Sequence, residues 1–102
     1  MEYTFTDGHL FLRRTPEERE PLLQRLRRVE GQVRGLQQMI ADDRYCLDAV
    51  QLANAAAAAL REVASLMLTD HLRAGVECAV EVNDGEEVLR DLQMVLRAAL
   101  RQ

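Results

Sequence analysis

The sequence predicts an all-α fold: a three-helix protomer built around one long central helix. Two observations carry this. Ala, Leu, Val, Arg, Glu and Gln dominate a chain with 4% aromatic residues and no Trp, and most of these are strong helix formers. Apolar residues also recur at steps of three and four in three successive stretches, the spacing of one helix face.

Thr15-Pro16-Glu17-Glu18 reads as a capping box with proline at the first helical position, so the first helix starts there. Pro21 lacks a backbone donor and is expected to kink or restart its first turn. Leu22, Leu26, Val29, Val33, Leu36 and Ile40 then form one apolar seam. Gly31 and Gly35 weaken a helix, which points to close packing at both positions. The helix is expected to stop near Ala41-Asp42-Asp43, with Asp42 or Asp43 capping the next one.

The second helix is expected over 44–82. Cys46, Val50, Ala53, Ala57, Leu60, Ala64, Met67, His71, Ala74 and Cys78 keep the same rhythm, and Ala55 to Ala59 form an unbroken alanine run. Asn83-Asp84-Gly85 reads as a turn, and Val88, Leu89, Leu92, Val95, Leu96 and Ala99 as the stripe of a third helix. Residues 1–15 show no helical period. Tyr3, Phe5, His9 and Phe11 alternate with polar residues around the Asp7-Gly8 turn signal, and the segment reads as an N-terminal tail. Residues 16–102 form the expected domain.

The 102 residues suffice for one domain, and 48% hydrophobic with 29% charged content describes a folded chain. The net charge of −4 provides no global attraction to nucleic acid. There is no lysine, and Arg13, Arg14, Arg19, Arg25, Arg27, Arg28 and Arg34 all lie in the first third, so a local basic face remains open. Two cysteines suit a reducing compartment. With neither a signal-like nor a membrane-length apolar run, the expected location is the cytoplasm, away from any membrane.

A helix over 44–82 would be about 58 Å long. A chain of this size folds into a globule of about 34 Å diameter, so the helix overhangs its own domain and needs another chain. Cys46 and His71 are 25 residues apart. They share a face to within about 20° but are separated by about 37 Å along the axis. An antiparallel second copy brings Cys46 opposite His71 and places the two-fold axis between Ala58 and Ala59, inside the alanine run. Singly, a cysteine on an apolar face is more often a small core residue and a histidine a half-exposed one. The shared register favours two symmetric Cys–His sites.

RLRRVEGQVRGLQQMI at 25–40, RYC at 44–46 and DHL at 70–72 together resemble the copper-sensitive operon repressor (CsoR/RcnR) family of bacterial sensors. The resemblance covers about residues 16–100. It implies a bacterial DNA-binding repressor that releases operator DNA when an effector binds. The implied assembly is a three-helix protomer in an antiparallel bundle dimer, with dimers pairing into a tetramer. It makes Cys46 the thiolate ligand and His71 the imidazole ligand, from opposite subunits. Tyr45 and Asp91 would support the site, and Arg25, Arg27, Arg28 and Arg34 would contact DNA.

Copper-sensing members carry a third ligand four residues after the histidine, where this chain has Gly75. Cys78, roughly 10 Å from His71 along the axis, and His9 are the candidates to replace it. Two-coordinate Cys–His ligation suits soft Cu(I) better than Zn(II) or Ni(II), so Cu(I) is the expected effector, with no cofactor required for folding. An alternative is that Cys46 senses formaldehyde or sulfane sulfur on the same fold. A second is a structural helical bundle that binds other proteins. An enzyme is not expected, because Cys46 and two histidines without an orienting group make no catalytic set.

Overall fold

The computed structural model describes residues 1–82 and 85–101. A hairpin of β1 (Glu2–Thr6) and β2 (His9–Arg13) precedes three helices, α1 (Pro16–Ala41), α2 (Cys46–Glu81) and α3 (Gly85–Leu100). The chain divides into two compact units, Met1–Glu18 with Ala64–Gln102, and Arg19–Val63. Among the described residues no helix is long and apolar enough to cross a membrane.

In the Arg19–Val63 unit, the body of α1 accompanies the N-terminal half of α2. The start of α1 lies in the other unit. There the Thr15 amide donates to Glu18 Oε1 at 2.9 Å and the Glu18 amide to Thr15 Oγ1 at 3.1 Å, the expected reciprocal box. Those contacts with Thr15 hold the Glu18 carboxyl below its usual range. The helix continues through Pro21 without interruption.

The end of α1 differs from expectation. The Arg44 amide donates to the Met39 carbonyl at 2.9 Å and the Asp43 amide to the Ile40 carbonyl at 3.3 Å, while Asp43 takes a φ of 52°. This is a left-handed C-terminal cap, a conformation that aspartate tolerates better than most residues. Asp43 therefore closes α1 instead of opening α2. The α2 hydrogen bonding begins at the Tyr45 carbonyl, which accepts from the Asp48 and Ala49 amides.

Leu52, Ala56 and Val63 of α2 turn inward or toward cover, whereas Cys46, Val50, Ala57 and Leu60 of the expected seam stay exposed. On α1, Val29 is buried but Ile40 is 68% exposed. A methyl group at Gly35 would lie in ordinary contact with Leu52, 3.6 Å from Cδ2. Gly31 has nothing within 4 Å, so the close packing expected there is not made within the chain.

In the other unit, the first residues form an ordered hairpin where a tail was expected. Tyr3 pairs with Leu12 and Phe5 with Leu10, across a two-residue turn. Asp7 and Gly8 both have positive φ, 54° and 78°, as a tight hairpin turn with the right twist requires. One face of the hairpin is apolar. Leu10 is buried with Ala74 and Cys78 of α2 and Val88 of α3, and Tyr3, Phe5, Leu12, Ala79 and Leu92 pack around them. The Tyr3 hydroxyl donates to Glu81 Oε2 at 2.6 Å. That bond holds the phenol in its protonated form and pushes its pKa up to about 12.

The inward face of α3 is formed by Val88, Asp91, Leu92 and Val95, while Leu89 is exposed. A stripe drawn from apolar residues alone passes over Asp91. The expected turn at Asn83-Asp84-Gly85 falls on residues 83 and 84, outside the described residues.

Candidate metal centre

His71 projects from α2 and Asp91 from α3, within the unit that contains the hairpin. His71 Nε2 lies 2.7 Å from Asp91 Oδ2. A carboxylate only accepts, so in the neutral ring Nε2 carries the proton and Nδ1 keeps its lone pair. An imidazole fixed in this way by a carboxylate is a common arrangement for a metal ligand, because the outer bond sets the tautomer and ring angle. Asp91 is 5% exposed, which makes its partners essential. Its other oxygen, Oδ1, lies 3.7 Å from His9 Nδ1 of the hairpin. Beside His71 in sequence, Asp70 Oδ2 accepts from Arg14 Nε at 3.3 Å and Nη2 at 3.2 Å.

The position expected to lack a third ligand has a local explanation. A Cβ at Gly75 would run into the Leu92 side chain of α3, with Cδ1 only 2.9 Å away. A ligating side chain at this position would displace Leu92 from the core.

Cys78 belongs to the hydrophobic cluster, 1% exposed, and burial pushes its thiol pKa up. The environment is that of a structural cysteine and disfavours the thiolate that a metal or a sulfur switch requires. His9 approaches the His71 pair through Asp91. Among the described residues no three His, Cys, Asp or Glu side chains gather into a metal-binding group.

Cys46 and Tyr45 lie in the Arg19–Val63 unit, both exposed, so the two expected ligands sit in different units. Arg25, Arg27, Arg28 and Arg34 are exposed on α1. Arg27 Nη1 bonds Glu20 Oε1 at 2.9 Å, which raises the guanidinium pKa further. The other three have no ion pair among the described residues. The roles of Asp70 and Arg14 beside His71 escaped the sequence reading, since nothing in residue spacing links positions 56 apart.

Residues 18–98 match the metal-sensitive transcriptional repressor family. This chain belongs to that family. As a metal-sensitive repressor it is 38% identical over 84 residues to the copper-sensing transcriptional repressor CsoR of Bacillus subtilis, covering 82% of this chain and 83% of the relative. It is 45% identical over 64 residues to the copper-sensing transcriptional repressor RicR of Mycobacterium tuberculosis, covering 63% of this chain and 67% of the relative. Among solved structures, it is similar to the copper-sensing repressor CsoR with Cu(I) from Geobacillus thermodenitrificans NG80-2. That likeness has a TM-score of 0.82 at 38% identity and covers 94% of this chain and 100% of the other. The nickel-responsive transcriptional regulator InrS matches with a TM-score of 0.76 at 29% identity, covering 90% and 100%. The three-helix arrangement expected from the sequence is the fold of this family.

Proposed function

We propose that this metal-sensitive repressor binds operator DNA in its apo form and releases it when Cu(I) binds between Cys46 of one subunit and His71 of another. The observation that carries the reading is the 2.7 Å bond from His71 Nε2 to the buried Asp91, which leaves Nδ1 for a ligand. A thiolate and an imidazole form a soft donor pair suited to Cu(I), the metal that the similar repressors named above sense or hold. Asp91 and Tyr45 support the pair, and residues 16–102 carry sensing and DNA binding.

The exposed seam of Cys46, Val50 and Leu60 supports an antiparallel dimer, because such side chains gain by burial against a second copy. An open groove lined by Leu10, Leu12, Met67, Leu68, His71 and Val95 offers that copy an apolar surface beside the imidazole. In the proposed register, the second copy's Val50 faces Met67 as its Cys46 faces His71. Two such dimers form the tetramer, which acts in the cytoplasm as a regulator and not as an enzyme.

Arg25, Arg27, Arg28 and Arg34 contact phosphates, so affinity falls steeply with salt. Ligation ties α2 of one subunit to its neighbour and lowers DNA affinity, with a coupling of about 1–3 kcal/mol. The test is fluorescence anisotropy on DNA from the protein's own promoter, titrated separately with Cu(I), Ni(II), formaldehyde and polysulfide. Release by Cu(I), abolished in Cys46→Ala, is the expected result. Unchanged release in that variant would refute the shared site, and release by formaldehyde or polysulfide alone would assign the sensor to thiol chemistry.

A further inference from the structure

The hairpin lies outside the span matched by the family, since it ends at Arg13 and the match begins at residue 18. It is nevertheless built into the unit that holds His71. Leu10 anchors β2 in the core against Ala74, Cys78 and Val88. The tip of the turn lies against α3, with a Cβ at Gly8 falling 3.6 Å from Glu87 Oε1. On either side of this anchor are two polar side chains. His9, at the start of β2, is 3.7 Å from Asp91 Oδ1, and Arg14, just after β2, holds Asp70 Oδ2 through Nε and Nη2. One carboxylate bonds the His71 ring and the other belongs to the preceding residue of α2.

We infer that the hairpin is a clamp that positions His71, with His9 and Arg14 as the positioning residues that set how tightly the site takes Cu(I). A buried carboxylate with one bonded oxygen can still rotate about its side-chain bond. A polar ring close to the other oxygen, 3.7 Å away and so beyond hydrogen-bond length, narrows the room for that rotation, and the angle of Asp91 sets the angle of the His71 ring. Arg14 acts on the other side. Its planar guanidinium directs two donors at one oxygen of Asp70, and the Arg14 side chain is only 18% exposed, so solvent screens the pair less than an open surface pair. Together the two contacts hold the ring and the helix turn that carries it, before any ligand arrives. This preorganisation lowers the ordering cost of binding.

The role in Cu(I) binding rests on the function proposed above, so the experiment separates the two. His9→Ala, Arg14→Gln and Arg14→Lys are compared with Tyr3→Phe, which removes a different hairpin bond, the one to Glu81. Two quantities are read on the full chain: the ring nitrogen NMR signals of His71 in metal-free protein, and Cu(I) affinity by competition with a chromogenic chelator. His9→Ala and Arg14→Gln are expected to shift or broaden the His71 signals and to weaken Cu(I) binding roughly tenfold, the lower end for loss of an outer-sphere partner. Arg14→Lys should recover part of the loss, and Tyr3→Phe should leave both readouts at wild-type values.

Unchanged signals and affinity in His9→Ala and Arg14→Gln, with binding lost in His71→Ala, would overturn the clamp while leaving the proposed function intact. Wild-type Cu(I) binding in His71→Ala would overturn the ligand assignment. The metal-free spectra would then decide the positioning claim alone. An equal loss in Tyr3→Phe would show general loosening of the hairpin and would also overturn the clamp.

Discussion

In the unit formed by the hairpin, the C-terminal half of α2 and α3, Val88 and Cys78 are fully buried and Asp70, Glu81 and Asp91 each have a partner from the first fourteen residues. In the Arg19–Val63 unit, Ile40, Val50 and Leu60 are exposed, and Arg25, Arg28 and Arg34 have no ion pair among the described residues. The first unit answers these carboxylates from within the chain, although Phe11, Val76, Val80, Leu89, Met94 and Leu100 stay more than half exposed. The second leaves an apolar seam, a basic surface and the Cys46 thiol for other molecules. The difference suits the sensor proposed above, in which His71 is bonded to Asp91 within its own chain and Cys46 comes from a neighbour.

The comparison can be broken most severely at Leu10. If the hairpin belongs to the core, Leu10→Ala should cost about 2–4 kcal/mol in urea unfolding. A cost typical of a surface residue would return the hairpin to the status of a tail. Gly75→Ala should cost about 1–3 kcal/mol by overpacking Leu92, and Leu92→Ala in the same chain should recover part of it. A loss unaffected by the second change would place the conflict elsewhere.

The open unit is probed by Arg28→Ala. It should weaken DNA binding evenly across sequences and reduce the salt slope by about 1, as measured by anisotropy at several salt concentrations. A change confined to particular bases would show direct base reading instead. Gly31→Ala should stabilise by about 0.5–1 kcal/mol, since alanine favours the helix and nothing stands within 4 Å. A destabilised, dissociated product would show that another chain packs there. Gly31 and Gly75 are the same residue type in helices of the two units, yet opposite signs are expected.

The smallest effect concerns Tyr3. Its folded pKa, raised to about 12 against an ordinary 10, means that its contribution is complete below pH 10 and lost as pH rises toward 12. Unfolding titrations across that window should fall less steeply for Tyr3→Phe than for the wild-type chain. Identical slopes would show that the bond to Glu81 adds nothing in solution.

Much of this was legible in the chain itself. The capping box at Thr15 and the 3–4 spacing of Leu22 to Ile40 locate α1, because they are local patterns with local causes. The hairpin also had its signal, Asp7-Gly8 between alternating apolar residues. A hairpin of five-residue strands is marginal alone, so its order depends on what covers it, and spacing along the chain does not show that cover. The role of Asp43 as a C-cap was hidden for a related reason, since an aspartate between two helices suits either end.

The sequence by itself determined three helices, the placing of the α1 arginines off the apolar seam, and a family signature strong enough to name. These depend on short-range periodicity and on residue chemistry. Only the tertiary structure decided that Asp91, which the resemblance placed near the site, bonds His71 Nε2, that Leu92 fills the space above Gly75, that Cys78 is a core residue, and that His9 and Arg14 reach Asp91 and Asp70. These depend on which faces of distant segments meet, and that is set by packing and by the need of buried charges for partners. No spacing along the chain records it.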